Sequence, residues 1–305
     1  MSAATYTSAG SIADALSALS SGARPIAGGT DLVVGARGGK APLPESLVAI
    51  HALDELRGIS SAGGGLRMGA LVTHAEIVAD ATVRDRLTAL ADASAIVGSH
   101  ATRHVGTIGG NVMNASPAME TGGPLICFDA VATLRSTSGE RELAVAELFA
   151  GPGQTTAKAD ELLVAITIPE PASGTGSCYV RLEYRRQMEI AIVGATAVVT
   201  IDGDRVSDAR IAITALAPTI HRVPEAEAAL VGGDGGEASV RAGADAAAMA
   251  SRPISDVRGS ADYRRAMAAV IARRAITAAL ARARGEHVPI PASPALHGAT
   301  NGGAA

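Results

Sequence analysis

The chain has very few large aromatic side chains with which to fill a hydrophobic core. Aromatic residues make up 2% of its 305 residues and Trp is absent, although 48% of the residues are hydrophobic. The core must therefore be built mainly from Ala, Val, Ile and Leu, whose smaller side chains let helices and strands pack closely. The 35 glycines indicate many tight turns or close backbone contacts, because glycine has no Cβ. A chain of this length is typical of two or three compact units.

Charge and cysteine content exclude two kinds of site. The formal net charge is −4, and basic and acidic residues are mixed along the chain, without the basic stripe of a nucleic-acid-binding surface. The two cysteines, Cys127 and Cys178, lie far apart beside apolar residues, which is typical of buried reduced thiols. Two thiolates cannot supply the usual four ligands of an iron–sulfur cluster. Any redox chemistry must therefore use an organic cofactor or clusters on another chain.

The sequence predicts no segment that crosses a membrane or directs secretion. The first residues are small and polar, without the basic start and apolar run of a signal peptide. No stretch approaches the ~18 consecutive apolar residues of a membrane-spanning helix. We therefore expect a cytoplasmic chain, either free or held at the inner face of the membrane by partner subunits.

Hydrophobic periodicity divides the chain into three predicted units and a tail. A β-α-β-like unit covers residues 1–55 and a second unit covers 56–170. A linker rich in Pro and Gly then leads to a third unit at 177–285. The last residues, 286–305, are low in complexity and are predicted to form a flexible tail.

Several individual elements are predicted inside these units. Thr73 and Glu76 fit a capping box at the start of a helix, and Val83–Ile96 fits a single helix. Two strand patterns joined through the turn 202–204 indicate a hairpin. The pattern over Tyr263–Arg284 indicates a long amphipathic helix.

The segment Gly98–Glu120 is dense in Gly, Thr, Asn, Ser and Pro. It has too few apolar periods for a helix and too many loop-forming residues for a plain strand. Long irregular segments inside compact domains are usually functional or disordered. Because the segment still carries apolar residues such as Val105 and Ile108, we predict an ordered, functional loop.

Two segments carry a glycine pair where a strand pattern meets a loop, and bare backbone N–H groups there can approach an anion. Together they could hold the two phosphates of a dinucleotide from opposite sides, although either segment alone also fits an ordinary turn. The residues are Pro25, Ile26, Ala27, Gly28, Gly29, Thr30, Asp31 and Leu32 in the first segment, and Thr107, Ile108, Gly109, Gly110 and Asn111 in the second.

Other motifs point to no further chemistry. Neither glycine segment fits a Rossmann or P-loop pattern, and the chain contains no Gly-x-Ser-x-Gly elbow. His100 and His104 lack an acidic neighbour and a close third ligand, so we expect no metal site and predict no catalytic residue. One basic group fits either a solvated strand face or a cofactor contact. It consists of Arg181, Arg185 and Arg186 beside Glu183 and Glu189.

Five stretches in this order resemble the flavin subunit of the xanthine dehydrogenase and carbon monoxide dehydrogenase family, over about residues 5–285. They are AGGTDL, TRHVGTIGGNVMNASPAME, DELLVAITIP, YVRLEYRRQMEIAIVGATAVV and DVRGSADYRRAMAAVIARRAI. The resemblance implies an α+β protein with a two-subdomain FAD-binding domain of the vanillyl-alcohol-oxidase (PCMH) type. A C-terminal α+β domain of the CO dehydrogenase flavoprotein type would follow it. The units at 1–55, 56–170 and 177–285 would be the two subdomains and this last domain.

The resemblance also implies which residues contact FAD. The segments Ala27–Asp31 and Thr107–Asn111 would cradle the pyrophosphate. Asn114 and Glu120 would border the cofactor, and Leu163 would lie near its ring system.

Three positions depart from the pattern of the family. Glu120 stands where the family commonly has Asp, Met119 stands where a small residue is usual, and Arg181 matches a Lys near the flavin ring. Arginine keeps the positive charge but changes its geometry. A cation near N1–C2 of the isoalloxazine stabilises the reduced, anionic flavin. The hypothesis is therefore that Arg181 tunes the flavin potential.

By this resemblance the chain is the FAD-binding medium subunit of a molybdenum-containing hydroxylase. Substrate would be oxidised at a molybdenum cofactor on a large molybdopterin-binding subunit, and electrons would cross 2Fe-2S clusters on a small subunit. FAD would accept them singly and release them in pairs to an external acceptor. The assembly would be a heterotrimer or a dimer of heterotrimers.

Two other functions remain open from the residues. A stand-alone flavin oxidoreductase would need its own substrate pocket and a catalytic base. A flavin-free structural subunit would have no use for two bare-backbone segments. Flavin binding distinguishes the structural subunit from the other two, and copurifying subunits distinguish the electron-transfer subunit from the stand-alone enzyme.

Overall fold

The computed structural model describes residues 5–39 and 42–298, and its first unit is a small parallel sheet with two helices. In chain order the elements are β1 (Thr5–Ser8), α1 (Ile12–Ser20), β2 (Arg24–Ile26), α2 (Thr30–Arg37) and β3 (Ser46–Ala49). The strand order is β1-β3-β2, with both outer strands parallel to β3. Ser11 caps α1, its hydroxyl accepting the Asp14 N–H, and the apolar stripe of the helix packs into a local core.

The second unit is a five-stranded antiparallel sheet covered by short helices. Its strand order is β4-β5-β10-β6-β7, with a separate two-stranded ribbon of β8 and β9. The elements are β4 (Ile59–Ala62), β5 (Gly65–Gly69), α3 (His74–Ala79), α4 (Ala81–Arg86), α5 (Thr88–Ile96), α6 (His100–Arg103), α7 (Ile108–Asn114), α8 (Gly122–Cys127), β6 (Val131–Ser136), β7 (Gly139–Ala144), α9 (Val145–Leu148), β8 (Phe149–Gly151), β9 (Gln154–Thr155) and β10 (Leu162–Pro169).

The third unit is a four-stranded antiparallel sheet packed against long helices. The strand order is β11-β12-β13-β14. The elements are β11 (Thr175–Leu182), β12 (Val193–Asp202), β13 (Arg205–Thr214), β14 (His221–Arg222), α10 (Pro224–Ala228), α11 (Glu237–Ala250), α12 (Ala261–Ala283) and α13 (Ala292–Gly298). Among the described residues, no helix has the length and apolar character needed to cross a bilayer.

Both faces of the third sheet are buried, which joins this sheet to the second unit. Side chains alternate along a strand, so Cys178 and Val180 face the core formed with α11 and α12. Tyr179 points the other way, into the core shared with α5 and α8. Cys127 belongs to that second core, and both cysteines are buried free thiols, as predicted. The described chain therefore packs as connected layers, with β11 at the junction.

Several predicted elements are confirmed, but the single helix over Val83–Ile96 is wrong. The capping box of Thr73 and Glu76 is present. The segment Val83–Ile96 breaks at Leu87 into α4 and α5. The Thr88 hydroxyl at the start of α5 donates to the Ser177 carbonyl at 2.7 Å. This contact with β11 redirects the chain although its apolar pattern continues.

The predicted flexible tail over 286–305 is wrong for its described part, whereas residues 299–305 lie outside the described residues. Helix α13 lies along the free edge of β11. The Arg181 N–H donates to Ser293 Oγ at 2.9 Å, and His297 Nε2 donates to the Arg181 carbonyl at 2.6 Å. Ala292 and Ser293 are fully buried. The small residues of this segment gave it a low-complexity composition, but Ala292 and Ser293 are small because they are buried between α13 and its neighbours.

Candidate functional site

The structure places the two glycine segments against each other. A Cβ on Gly28 would lie 2.0 Å from the Val105 carbonyl oxygen, just before the second segment. A Cβ on Gly106 would lie 3.6 Å from Thr30 Oγ1. Since these residues are remote in sequence, the fold brings together the two segments that the sequence predicted to act jointly.

The first segment ends at the start of α2, which no side chain caps. Gly29 precedes the helix with a φ of 68°. Pro25 and Ile26 belong to β2, so the chain passes directly from strand to turn to helix. The first N–H groups of an uncapped helix attract negative charge. This geometry suits a phosphate.

The second segment forms the start of α7 and is tied to the neighbouring strand end. Thr107 caps the helix, its hydroxyl accepting the Gly110 N–H at 3.0 Å. The Gly109 N–H donates to the Ala70 carbonyl at 2.9 Å, and a Cβ on Gly109 would lie 2.6 Å from that oxygen. Only glycine permits this approach.

The prediction of a loop over Gly98–Glu120 is therefore wrong in part, because α6 and α7 lie within it. These helices have four and seven residues, too few turns for an apolar period to be read. Their caps, Ser99 and Thr107, and their contacts with neighbouring elements hold them in place. The irregular remainder of the segment is ordered, as predicted.

Arg181 lies at the centre of a buried cluster of charges. Its Nη1 donates to Glu120 Oε1 and to the Glu189 carbonyl, and its Nε donates to Glu183 Oε2. The Arg181 side chain is fully buried, and those of Glu120 and Glu183 are 9% and 7% exposed. Arg185, in contrast, is 67% exposed. The interpretation of Arg181 as part of a solvated strand face is therefore wrong.

Burial and charge oppose each other in this cluster. Burial raises the pKa of Glu120, and the Arg181 charge offsets only part of that rise. Burial alone would lower the pKa of Arg181, but Glu120 and Glu183 more than offset it, so the pKa is raised. Arg181 Nη2 is buried without a hydrogen-bond partner among the described residues. One guanidinium thus serves two carboxylates and keeps an unused donor.

The remaining predicted contacts lie at different depths. Asn111 Oδ1 accepts the Thr121 hydroxyl at 2.6 Å, which links α7 to the start of α8. Asn114, the last residue of α7, is half-buried. Leu163 is 3% exposed and sits at an irregularity between β10 and β6. The structure therefore groups Asn111 with the glycine segments and places Leu163 in the core beneath them.

Two residues beside the second segment were missed in the sequence. The His74 backbone N–H donates to the Gly106 carbonyl at 3.2 Å, and Nδ1 of its ring is buried without a partner in the described part of the chain. Arg103 ends α6, three residues before Gly106. Burial, together with the charge of Arg103, lowers the pKa of His74 to about 4. Neither a single His at the start of α3 nor a single Arg in the glycine-rich stretch gives a periodic signal in the sequence.

The depressed pKa of His74 predicts a loss of stability in acid. Because the unfolded chain binds this proton more readily than the folded chain, stability is complete above pH ~6.5 and falls toward pH ~4. The expected loss is about 3 kcal/mol. Urea unfolding at several pH values would show this loss in the wild type, and His74→Gln should lack it. His100→Gln, at an exposed position, should keep the wild-type dependence; identical curves for all three proteins would contradict the assignment.

No cluster of three or more His, Cys, Asp or Glu residues in the described ranges could hold a metal ion. The rings of His100 and His104 lie 4.9 Å apart, at the two ends of α6. The candidate site is therefore a cradle of backbone and hydroxyl groups beside a buried ion cluster.

Comparison with known proteins shows which family has this arrangement. Residues 2–171 match the FAD binding domain in molybdopterin dehydrogenase, and residues 179–279 match the CO dehydrogenase flavoprotein C-terminal domain. The chain belongs to the FAD-binding medium subunits of the molybdenum hydroxylases. Its cofactor is FAD, and it is a subunit of an oxidoreductase. The predicted fold class, an FAD-binding domain followed by this C-terminal domain, is confirmed.

The medium subunit resembles several characterised relatives over nearly its whole length. The carbon monoxide dehydrogenase medium chain of Afipia carboxidovorans is 33% identical, over 90% of this chain and 96% of the relative. The xanthine dehydrogenase FAD-binding subunit of Escherichia coli O157:H7 is 29% identical, over 93% and 98%. A solved carbon monoxide dehydrogenase from Hydrogenophaga pseudoflava superimposes with a TM-score of 0.88 at 34% identity, over 92% and 98%.

Proposed function

We propose that this medium subunit transfers electrons through FAD held between the two glycine segments. The cofactor would receive electrons from the iron–sulfur clusters of a small subunit and pass them to an external acceptor. The observation that carries this proposal is the contact of the Gly28 backbone with Val105, which places both segments at one site. A large molybdopterin-binding subunit would oxidise the substrate.

The residues present fit FAD by three physical tests. The start of α2 is uncapped, and at the start of α7 the exposed Gly110 has only Thr107 Oγ1 near the place of a Cβ, at 3.0 Å. Arg181 Nη2 retains an unused buried donor. A cofactor with a diphosphate and a polar ring edge would satisfy groups of these kinds. Asn114, Glu120 and Leu163 would border it further along, which stays a prediction.

The protein's share of the chemistry is binding and electrostatics. FAD itself supplies the ability to take electrons singly and give them in pairs. The N–H groups at the uncapped start of α2 would hold the diphosphate, and the Thr30 hydroxyl would add a donor. The ion pairs with Glu120 and Glu183 would hold the Arg181 guanidinium in one orientation toward the cofactor. No residue of this chain is needed as a general acid or base.

The partner and location proposals follow from the same function. We infer a heterotrimer, or a dimer of heterotrimers, with a small 2Fe-2S subunit and a large molybdopterin-binding subunit. The complex would work in the cytoplasm, free or at the inner face of the membrane. A stand-alone flavin oxidoreductase and a flavin-free structural subunit are the competing functions.

An absorbance spectrum separates these three functions. The full chain is purified alone and then after co-expression with its genomic neighbours. Peaks near ~370 and ~450 nm, released as FAD on denaturation, are expected in both preparations. Broad iron–sulfur absorption should appear only after co-expression. A flavin spectrum with no copurifying subunit would favour the stand-alone enzyme, and a colourless protein even after soaking with FAD would refute the proposal.

Substitution of Gly28 tests the cradle directly. Gly28→Ala would place a Cβ 2.0 Å from the Val105 carbonyl oxygen, so the two segments must move apart. We expect FAD to bind about tenfold more weakly or worse, a change of at least about 1.4 kcal/mol. Flavin fluorescence titration measures the dissociation constant.

Gly35→Ala is the matched control for Gly28→Ala. Gly35 lies inside α2, and a Cβ there would meet nothing within 4 Å. This substitution should stabilise the helix by about 1 kcal/mol and leave the FAD affinity unchanged. Equal FAD affinities for the wild type and both variants would show that the contact between the segments does not form the binding site.

A further inference from the structure

The two glycine segments offer a bare backbone and the uncapped start of α2 to a diphosphate, but no full positive charge. Residues 25–32 and 107–111 contain no Lys, Arg or His, and they include the acidic Asp31. A helix N-terminus contributes only about half an elementary charge. A buried diphosphate carries about two negative charges and is costly to desolvate without a cation. Another part of the chain should therefore supply one.

Arg103 is the cation next to the second segment. It is the last residue of α6, and the chain turns directly from α6 into the segment, since the Gly106 N–H donates to the Thr102 carbonyl at 2.7 Å. The Arg103 side chain is half-buried. Its Nη1 donates to the Val97 carbonyl at 3.1 Å, which anchors the guanidinium through one of its five donors. Within residues 5–39 and 42–298 its other donors form no hydrogen bond.

Arg103 also differs from Arg181 in its charge balance. Arg181 is paired with both Glu120 and Glu183, so its charge is already compensated within the protein. Arg103 forms no salt bridge with any carboxylate in the ranges 5–39 and 42–298. A partly buried cation without a counterion is unusual unless a ligand supplies the negative charge.

Like charges converge on this position, which is unfavourable without an anion. Burial first, and then the Arg181 charge, lowers the pKa of Arg103. Burial first, and then the Arg103 charge, lowers the pKa of His74. The ring of His74 lies beneath Gly106, with Cδ2 3.6 Å from where a Cβ would stand. His74 and Arg103 therefore bring two basic groups to the start of the second segment.

Other arginines near the first segment fit less well. Arg37 is the last residue of α2, and eight residues of helix place it about 10 Å from the helix start. Arg24 begins β2 and is exposed, four residues before Gly28. Neither is held by its surroundings at the place where the two segments meet.

We propose that Arg103 is the residue that pairs with the diphosphate of the bound dinucleotide, its guanidinium completing the cradle formed by the two glycine segments. The inference rests on the proposed function, since it needs FAD at this site. Guanidinium and phosphate match in charge and in planar, bidentate geometry. Arg103 is a binding residue, and it takes no proton or electron.

The test compares two probes that share a diphosphate. The dissociation constants of FAD and of ADP are measured with the full chain freed of flavin, for the wild type, Arg103→Gln and Arg103→Lys. Arg103→Gln is expected to weaken both probes by a similar factor, about 10- to 100-fold, as for loss of a charged hydrogen bond. Arg103→Lys should recover part of the loss. Raising the salt concentration should weaken the wild type more than Arg103→Gln.

Arg84→Gln is the matched control for Arg103→Gln. The Arg84 Nη1 also donates to the carbonyl six residues earlier, that of Val78, at 3.4 Å, but on α4, away from both segments. This variant should bind FAD and ADP as the wild type does. Thermal unfolding and circular dichroism confirm that each variant is folded, so that a lost affinity reports binding.

The outcomes separate this inference from the proposed function. Affinities for Arg103→Gln within twofold of wild type would overturn the role of Arg103 while leaving FAD binding intact. Weaker binding of FAD with unchanged binding of ADP would also overturn it, because Arg103 would then contact the flavin ring and not the diphosphate. A wild-type chain without affinity for FAD would refute the proposed function itself.

Discussion

Replacement of Arg181 by methionine is expected to lower the free energy of unfolding by about 3–5 kcal/mol. Arg181 is fully buried, and it is the cation that neutralises Glu120 and Glu183, both nearly buried. Methionine has a similar volume but leaves two carboxylates in a low-dielectric interior without a partner. Removing one member of such a cluster is more costly than replacing the whole cluster with apolar residues. Urea or thermal unfolding of the full chain measures the loss.

Arg185→Met is the matched control on the same segment. Arg185 also pairs with a glutamate, Glu189 at 3.4 Å, but its side chain is 67% exposed. Exposed ion pairs contribute about 0–1 kcal/mol, so this variant should lose little. If Arg181→Met lost no more stability than Arg185→Met, the buried cluster would not be holding the sheet against the second unit.

The Arg181 variants also test the hypothesis that this residue tunes the flavin potential. Loss of the cation should lower the midpoint potential, because the reduced, anionic flavin would lose its stabilisation. Arg181→Lys keeps the charge on a single ammonium group and should shift the potential less. An unchanged midpoint potential in folded Arg181→Met would refute the hypothesis.

Local signals in the sequence were sufficient for the elements that depend on neighbouring residues. The capping box at Thr73 and Glu76 is confirmed because both partners lie within one turn. The hairpin of β12 and β13 and the long helix α12 are present as predicted. The glycine segments were found because they require a bare backbone, which only glycine provides.

Long-range contacts were beyond the reach of local patterns. Arg181 and Glu120 are 61 residues apart, and nothing in the period of β11 shows that an arginine on it is buried. The short helices α6 and α7 were missed because tertiary contacts, more than length, stabilise them. The tail was misjudged because Ala292 and Ser293 are buried, where only small side chains fit. The Ala292 N–H donates to the Asp92 carboxylate, and these two residues are 200 positions apart.

Truncation of Asp92 to alanine is also expected to lower the free energy of unfolding by about 3–5 kcal/mol. The fully buried Asp92 carboxylate accepts bonds from Arg282 at 2.6 and 3.1 Å, from the Tyr179 N–H at 3.2 Å and from the Ala292 N–H at 2.9 Å. Arg282 also donates to the carbonyls at 288–289. The variant would leave Arg282 as a buried charge without its counterion and free the start of α13.

Glu170→Ala provides the comparison that separates burial from mere distance along the chain. The Arg86–Glu170 pair also joins residues far apart, but both side chains are substantially exposed, at 39% and 50%, so its loss should cost about 0–1 kcal/mol. Limited proteolysis should then cut the C-terminal segment faster in Asp92→Ala and at the wild-type rate in Glu170→Ala. Because Ser293 and His297 hold the edge of β11 at Arg181, release of the segment should also weaken FAD retention. Protection of the segment despite lost stability would instead show that Ser293 and His297 hold it without Asp92.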